Sequence, residues 1–196
     1  MAAAGIGLIL LIVVGGGLVL LGIVLVFWAI AVYNRLTRLR INAQGSFSGI
    51  DVELRRRHDL VPNLVNTVKG YATHEKGTLE AVISARAAAV RPNQSMEDRL
   101  KAEQGLTGAL GRLMAVAEAY PDLKANQNFL QLQGELSTIE NRIAGARTGY
   151  NGSVQGYNTQ AAVFPDALLA RIFGFQPMPF FELDEAAQRN VPQVQF

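Results

Sequence analysis

The sequence predicts an all-α protein with a single N-terminal transmembrane helix followed by an elongated antiparallel three- to four-helix bundle. Residues 5–31 form one uninterrupted apolar run, and every charged side chain of the 196-residue chain follows Asn34. Beyond that point, apolar residues recur every three or four positions, as on one face of a helix. We therefore expect an anchor over residues 1–33, a helical body over 34–164, and a short apolar helix with a polar tail over 165–196.

The apolar run predicts a retained anchor. It is longer than the roughly 20 residues that a helix needs to cross the hydrocarbon core. A cleaved signal peptide is the alternative interpretation, but such peptides usually begin with basic residues and carry an apolar run of about 7–15 residues. No Lys or Arg precedes this run, so the pattern favours a helix that stays in the membrane.

The flank of the anchor predicts its orientation. Arg35, Arg38 and Arg40 follow the apolar run and no basic residue precedes it. The positive-inside rule therefore predicts an outside N-terminus and a cytoplasmic C-terminal domain. Trp28 and Tyr33 stand where aromatic residues line the membrane interface. These five residues are the predicted contacts with membrane lipid.

Small residues along the anchor suggest contact between protein chains. Gly15, Gly22 and Ala29 are spaced by seven and so lie on one side of the helix. Small side chains let two helices approach closely in lipid. The alternative is that Gly and Ala are simply common in membrane helices.

The body is predicted to contain three amphipathic helices. The first extends from Tyr33 to about Ala89, with a kink at Pro62 because proline removes a backbone donor. Ser95, with Asp98 three positions later, predicts the start of the second helix. The third series runs from Phe129 to Phe164, with steps close to the 3.5-residue repeat of knobs-into-holes packing.

Two features of the body are candidates for polar contacts. The cluster Arg55–Arg57 is predicted to form ion pairs with Glu53, Asp59 or another helix rather than to bind lipid. His58 and His74 are predicted to lie at the surface or on a helix flank, since neither has a second metal ligand at helical spacing.

The third helix and the tail hold further candidates. Tyr150-Asn151 and Tyr157-Asn158 are one heptad apart, which predicts tyrosines at the core edge with hydroxyls reaching water. A hydrogen-bonded ladder between chains is the alternative. In the tail, apolar residues either cover one end of the bundle or form a docking patch for another copy or the membrane surface. The candidate interaction patch consists of Leu168, Leu169, Ile172, Phe173, Phe175, Phe180 and Phe181.

Composition excludes several classes of function. The chain has no cysteine, which excludes disulfides, thiolate metal sites and a cysteine nucleophile. The net charge of +2 and the lack of a basic stripe with interleaved aromatics argue against nucleic-acid binding. No phosphate-binding loop, dinucleotide fingerprint or nucleophile elbow is present. We predict that the protein is not an enzyme and that it has no catalytic, cofactor-binding or metal-binding residue.

Two blocks of sequence resemble a known family. Residues 53–86, reading ELRRRHDLVPNLVNTVKGYATHEKGTLEAVISAR, are similar to the signature of the LemA family. The later segments Glu140–Ile143, Phe173–Phe175 and Val191–Phe196 agree with it. His58 departs from the pattern, since the family often has Tyr there. The resemblance implies a helical protein of the bacterial inner membrane with an outside N-terminus and a poorly defined role, and it supplies no catalytic residue.

Together these features predict a non-enzymatic scaffold or organising protein. It would self-assemble as a homo-oligomer through its anchor and bundle, and contribute to membrane organisation. The alternative is a signalling or adaptor module that couples the membrane to a cytoplasmic partner or membrane protease, and contacts with other membrane proteins fit either hypothesis.

Overall fold

A computed structural model describes the backbone of residues 2–181 and the side chains from Val13 onward. Within this range the chain is all-α and contains no β-strand. The helices are α1 (Ala2–Lys69), α2 (Lys76–Ala89), α3 (Met96–Glu118), α4 (Pro121–Lys124), α5 (Gln127–Ala162) and α6 (Asp166–Ile172). Val191–Phe196, which was part of the family resemblance, lies outside the described residues.

The described chain divides into two compact units. The anchor unit comprises residues 2–44 and 152–179, and the bundle unit comprises residues 45–151 with 180–181. The helices α1 and α5 contribute residues to both. In the bundle unit, segments of α1, α2, α3 and α5 provide the buried apolar residues, among them Leu64, Val82, Leu113 and Ile143. The predicted boundaries at residues 33 and 164 remain predictions.

The first predicted helix continues through Pro62, as expected, but is interrupted further along the chain. Pro62 lies inside α1, which continues to Lys69, and the interruption falls at residues 70–75 before α2 begins. Proline lacks the N–H group that would bond to the carbonyl of His58, four residues earlier. The Nε of Arg86 on α2 donates to that carbonyl at 2.7 Å instead. A distant side chain therefore satisfies the backbone acceptor that Pro62 leaves open.

The second and third helices begin and end close to the predicted residues. The Oγ of Ser95 accepts a bond from the backbone N–H of Asp98 at 3.1 Å, which caps α3 as the sequence predicts. At the start of α5, the side-chain oxygen of Asn126 accepts from the N–H of Phe129 at 3.0 Å. The third helix ends at Ala162, three residues before Pro165. Pro121, where the sequence predicts an interruption, is the first residue of the single helical turn α4.

Candidate functional site

Within the described side chains, the apolar stretch of α1 over residues 13–27 is exposed throughout. The helix is long and apolar enough to cross a membrane, and none of its most apolar stretch is buried. A Cβ atom added to Gly15 or Gly22 would meet nothing within 4 Å. Gly16 and Gly17 are equally free of contacts, so it is the spacing of seven that places Gly15 and Gly22 together on one side of the helix, which we call the open strip. The expectation that this strip packs against another helix stays a prediction.

Ala29 does not belong to that open strip. It packs, together with Trp28, against a small core formed by Val32 and Leu36 of α1 and by Leu169 and Ala170 of α6. Ala29 is half-buried there, so α6 of the same chain covers part of its surface, and its contact with another chain stays a prediction. Trp28 remains a predicted interface residue, now with a packing partner that the sequence did not reveal.

An ion pair fixes α6 against α1. A guanidinium nitrogen of Arg35 donates to the carboxylate of Asp166 at 2.7 Å, and Gln160 donates to the same oxygen. The Asp166 side chain is buried, whereas the Arg35 side chain is half exposed. Arg35 was expected to set topology and contact headgroups, and it also anchors the tail helix. Arg38 bonds the carbonyl of Asn34 at 3.2 Å.

Aromatic rings surround the end of the apolar run. The ring of Tyr33 lies edge-on to Phe173 and Phe175, with centroids 5.2 and 5.6 Å apart. Tyr33 and Arg40 also line a groove of about 360 Å³ beside these two rings. Trp28, Tyr33 and the two phenylalanines thus form an aromatic group at the level where the apolar run gives way to arginines.

The candidate interaction patch separates into buried and exposed members. Leu169 is buried in the core beneath α6, and Phe181 is buried in the bundle unit beside Phe47. The prediction is wrong for these two residues, because their side chains are covered by the same chain. Phe175 is half-buried. The exposed members are Leu168, Ile172, Phe173 and Phe180.

Asparagine side chains hold the segment after α6. In the anchor unit, the amide of Asn158 donates to the carbonyl of Met178 and accepts from its N–H, both at 2.9 Å. The hydroxyl of Tyr157 donates to the carbonyl of Gln176 at 2.8 Å. Tyr157 therefore bonds within the chain instead of reaching water, and burial raises the pKa of its phenol, an effect that Arg40 partly opposes.

The bundle unit contains the same arrangement once more. Asn151 donates to the carbonyl of Phe181 at 3.2 Å and accepts from its N–H at 2.8 Å. Tyr150, buried beside the ring of Phe47 at 5.6 Å, has its phenol pKa raised by burial. Asn151, Asn158 and Tyr157 thus bind the chain's own backbone, a role that the spacing of the Tyr-Asn pairs does not reveal.

A cluster of buried charges lies in the bundle unit. Arg57 and Glu103 are each only 2% exposed and are ion-paired. Arg57 also donates to Glu140 at 2.8 Å and to Thr107 at 3.0 Å. The Nε2 of His58 lies 2.9 Å from the second oxygen of Glu103. The prediction that Arg57 pairs with another helix is confirmed, whereas the prediction of a helix-flank His58 is wrong.

The charges around Glu103 control its protonation. Burial alone would raise the pKa of this carboxyl, but the hydrogen bond from His58 and the positive charge of Arg57 lower it below its ordinary value. Glu103 is therefore a carboxylate at neutral pH and accepts bonds from both partners. Sequence spacing could not reveal this cluster, because its members come from α1, α3 and α5.

The cluster has the arrangement of structural ion pairs rather than that of a catalytic site. Each carboxylate and guanidinium group is engaged by another side chain of the same unit. His74, the other histidine, is exposed. No group of three His, Cys, Asp or Glu residues with metal-binding geometry occurs in the described part of the chain.

Comparison with known proteins gives a match to one family model and similarity to two relatives. The model of the LemA family matches residues 46–196. The chain is 26% identical over 189 residues to magnetosome protein MamQ of Magnetospirillum gryphiswaldense, covering 83% of this chain and 70% of that protein. It is 23% identical over 158 residues to protein LemA of Metamycoplasma hominis, covering 81% of this chain and 72% of that protein.

Proposed function

The chain belongs to the LemA family, and from this premise we propose that it is a non-enzymatic membrane scaffold that self-assembles through its anchor. Membrane anchoring is supported by the one helix of the described chain that is long and apolar enough to cross a bilayer. The observation that carries the proposal is the open strip at Gly15 and Gly22, where a neighbouring helix can approach closely. The similarity to magnetosome protein MamQ supports a membrane-associated protein, and a role in membrane organisation is part of the proposal.

The proposed location is the bacterial inner membrane with the N-terminus outside and the helical body in the cytoplasm. Arg35, Arg38 and Arg40 directly follow the apolar run, which supports this orientation. Protease treatment of right-side-out and inverted vesicles tests it. The body should be cleaved only in inverted vesicles, and cleavage from the outer face would overturn the orientation.

Cysteine cross-linking tests the contact between anchors. Because the chain has no cysteine, Gly22→Cys introduces a single thiol on the open strip. Gly17→Cys is the matched control, since position 17 lies about 200° around the helix from position 15, and 22 lies close to 15. Oxidation in native membranes should give a disulfide-linked dimer for Gly22→Cys and much less for Gly17→Cys. Equal yields would remove the argument for a specific face.

A specific observation also supports the adaptor hypothesis. In the bundle unit, a groove of about 850 Å³ combines apolar and charged side chains that could receive a partner's helix. Its lining includes Leu60, Ile139, Arg56, Asp59, Glu135 and Arg142.

Chemical cross-linking in native membranes separates the two hypotheses. Cross-links between copies of this chain alone support scaffolding. One dominant foreign protein, lost when Gly134→Asp places a charged side chain in the groove at an exposed position, supports the adaptor function. The exposed residue Leu130 on the same helix provides the control Leu130→Asp, which should leave either pattern unchanged.

A further inference from the structure

An exposed apolar surface surrounds α6 in the anchor unit. Ile172 is 73% exposed and Phe164 is 81% exposed, although both are large apolar side chains. We name this surface the α6 apolar face, and its members are Val163, Phe164, Leu168, Ile172 and Phe173. We propose that the α6 apolar face inserts into the interfacial layer of the membrane that α1 spans, so that lipid covers it.

The depth of α6 supports lipid as the occupant. Its opposite face packs on Val32 and Leu36 of α1, with Trp28 and Ala29 against the same core. These are the residues at which the apolar run ends and the arginines begin. A helix held at this level adjoins the boundary between acyl chains and headgroups, where amphipathic helices bury their apolar side chains.

The helical pattern gives α6 two distinct faces. Asp166, Leu169 and Ala170 are buried against the chain, while Leu168 and Ile172 point away from it on the other side. Arg171 is exposed beside Ile172, and a long basic side chain can extend from such a position to lipid phosphates. Apolar side chains next to an arginine are typical of a helix lying in the interface.

The contacts of Asp166 and Tyr33 hold this surface in place. The ion pair between Asp166 and Arg35 fixes the start of α6, and the ring of Tyr33 contacts Phe173 just after its end. Both tethers come from the part of α1 that follows the apolar run. The α6 apolar face is thus held beside the part of α1 at which the apolar run ends. The proposal requires membrane anchoring but not self-assembly, so the two can fail separately.

Site-specific fluorescence quenching tests the proposal. Ile172→Cys and, as a second reporter, Phe164→Cys are labelled with an environment-sensitive dye in the full-length chain. The variants are placed in nanodiscs of phosphatidylethanolamine and phosphatidylglycerol, which leave both faces accessible. Gln155→Cys, at an exposed position of α5 in the same unit, is the aqueous control. Leu18→Cys in the apolar run is the membrane control.

Lipids with a nitroxide near the headgroup end of the acyl chain should quench the labels at 172 and 164. Aqueous iodide should quench only the label at 155. Iodide quenching at 172 and 164 would overturn the proposal. Protection of these labels from both quenchers would also overturn it, because another protein surface would then be the occupant.

Discussion

Loss of the carboxylate of Glu103 should destabilise the bundle unit strongly. In Glu103→Leu, Arg57 keeps its hydrogen bonds to Glu140 at 2.8 Å and to Thr107 at 3.0 Å, but it loses the ion pair with the buried carboxylate of residue 103. His58 simultaneously loses the acceptor 2.9 Å from its Nε2. Removing one member of a buried ion pair typically costs 3–5 kcal/mol, so we expect a loss of about 3–5 kcal/mol in the free energy of unfolding.

The double variant Arg57→Met with Glu103→Leu identifies the cause. Without the guanidinium, no buried positive charge is left with only the partly exposed Glu140 as its partner, so the double variant should be at least about 1.5 kcal/mol more stable than Glu103→Leu alone. Glu118→Leu is the control on α3: its carboxylate pairs with Lys124 at the surface, and its cost should stay within about 0.5 kcal/mol.

The assay is denaturant unfolding of the full-length chain in detergent, followed by far-ultraviolet circular dichroism. A single variant Glu103→Leu within about 1 kcal/mol of the wild type would refute the reasoning, because it would mean that Arg57 needs no buried carboxylate. A double variant less stable than Glu103→Leu would refute it as well.

Three further results are expected. Because its pKa is lowered in the folded state, Glu103 contributes fully to the free energy of unfolding above its ordinary pKa of 4.5, and this contribution is lost as the pH falls through the folded-state pKa. Unfolding curves across pH should show this loss of stability, and Glu103→Leu should not show it. Leu136→Asp places a charge at a buried position and should cost at least about 3 kcal/mol, whereas Leu130→Asp at an exposed position should leave the thermal transition nearly unchanged. Asn151→Ala removes two hydrogen bonds to the backbone of Phe181, which together contribute about 2 kcal/mol. Chymotryptic cleavage after Phe181 should therefore be roughly 30-fold faster. An unchanged cleavage rate would contradict the role of the amide.

Local patterns in the sequence predict the helices well. The apolar run, the cap at Ser95 and the periodic series ending near Pro165 each depend on residues a few positions apart, and α1, α3 and α5 follow them. The interruption at residues 70–75 was not predicted, and the spacing around Pro62 gives no sign that Arg86, from another helix, satisfies the carbonyl that proline leaves open. Such a long-range bond has no counterpart in local spacing.

The candidate site was less predictable because it depends on how the chain folds back. Leu169 and Ala29 pack into one core only because α6 folds back onto α1. The ion pair that joins these two helices connects Arg35 and Asp166, which are 131 residues apart in the sequence. From sequence alone, an apolar residue beneath a short helix cannot be told from one exposed on its other side. The Tyr-Asn pairs were visible as a repeat, but their acceptor, the chain's own backbone, was not.

The native mass of the full-length chain tests the central claim of self-assembly most directly. Wild type and Gly15→Ile/Gly22→Ile are compared in mild detergent by size-exclusion chromatography with light scattering. Full-length chains are needed, because a chain beginning at Asn34 would lose Val32 and Trp28 from the core beneath α6. We predict a defined multiple of the chain mass for the wild type and a smaller, still helical particle for the variant. A monomeric wild type, or an unchanged oligomer in the variant, would contradict assembly through the anchor.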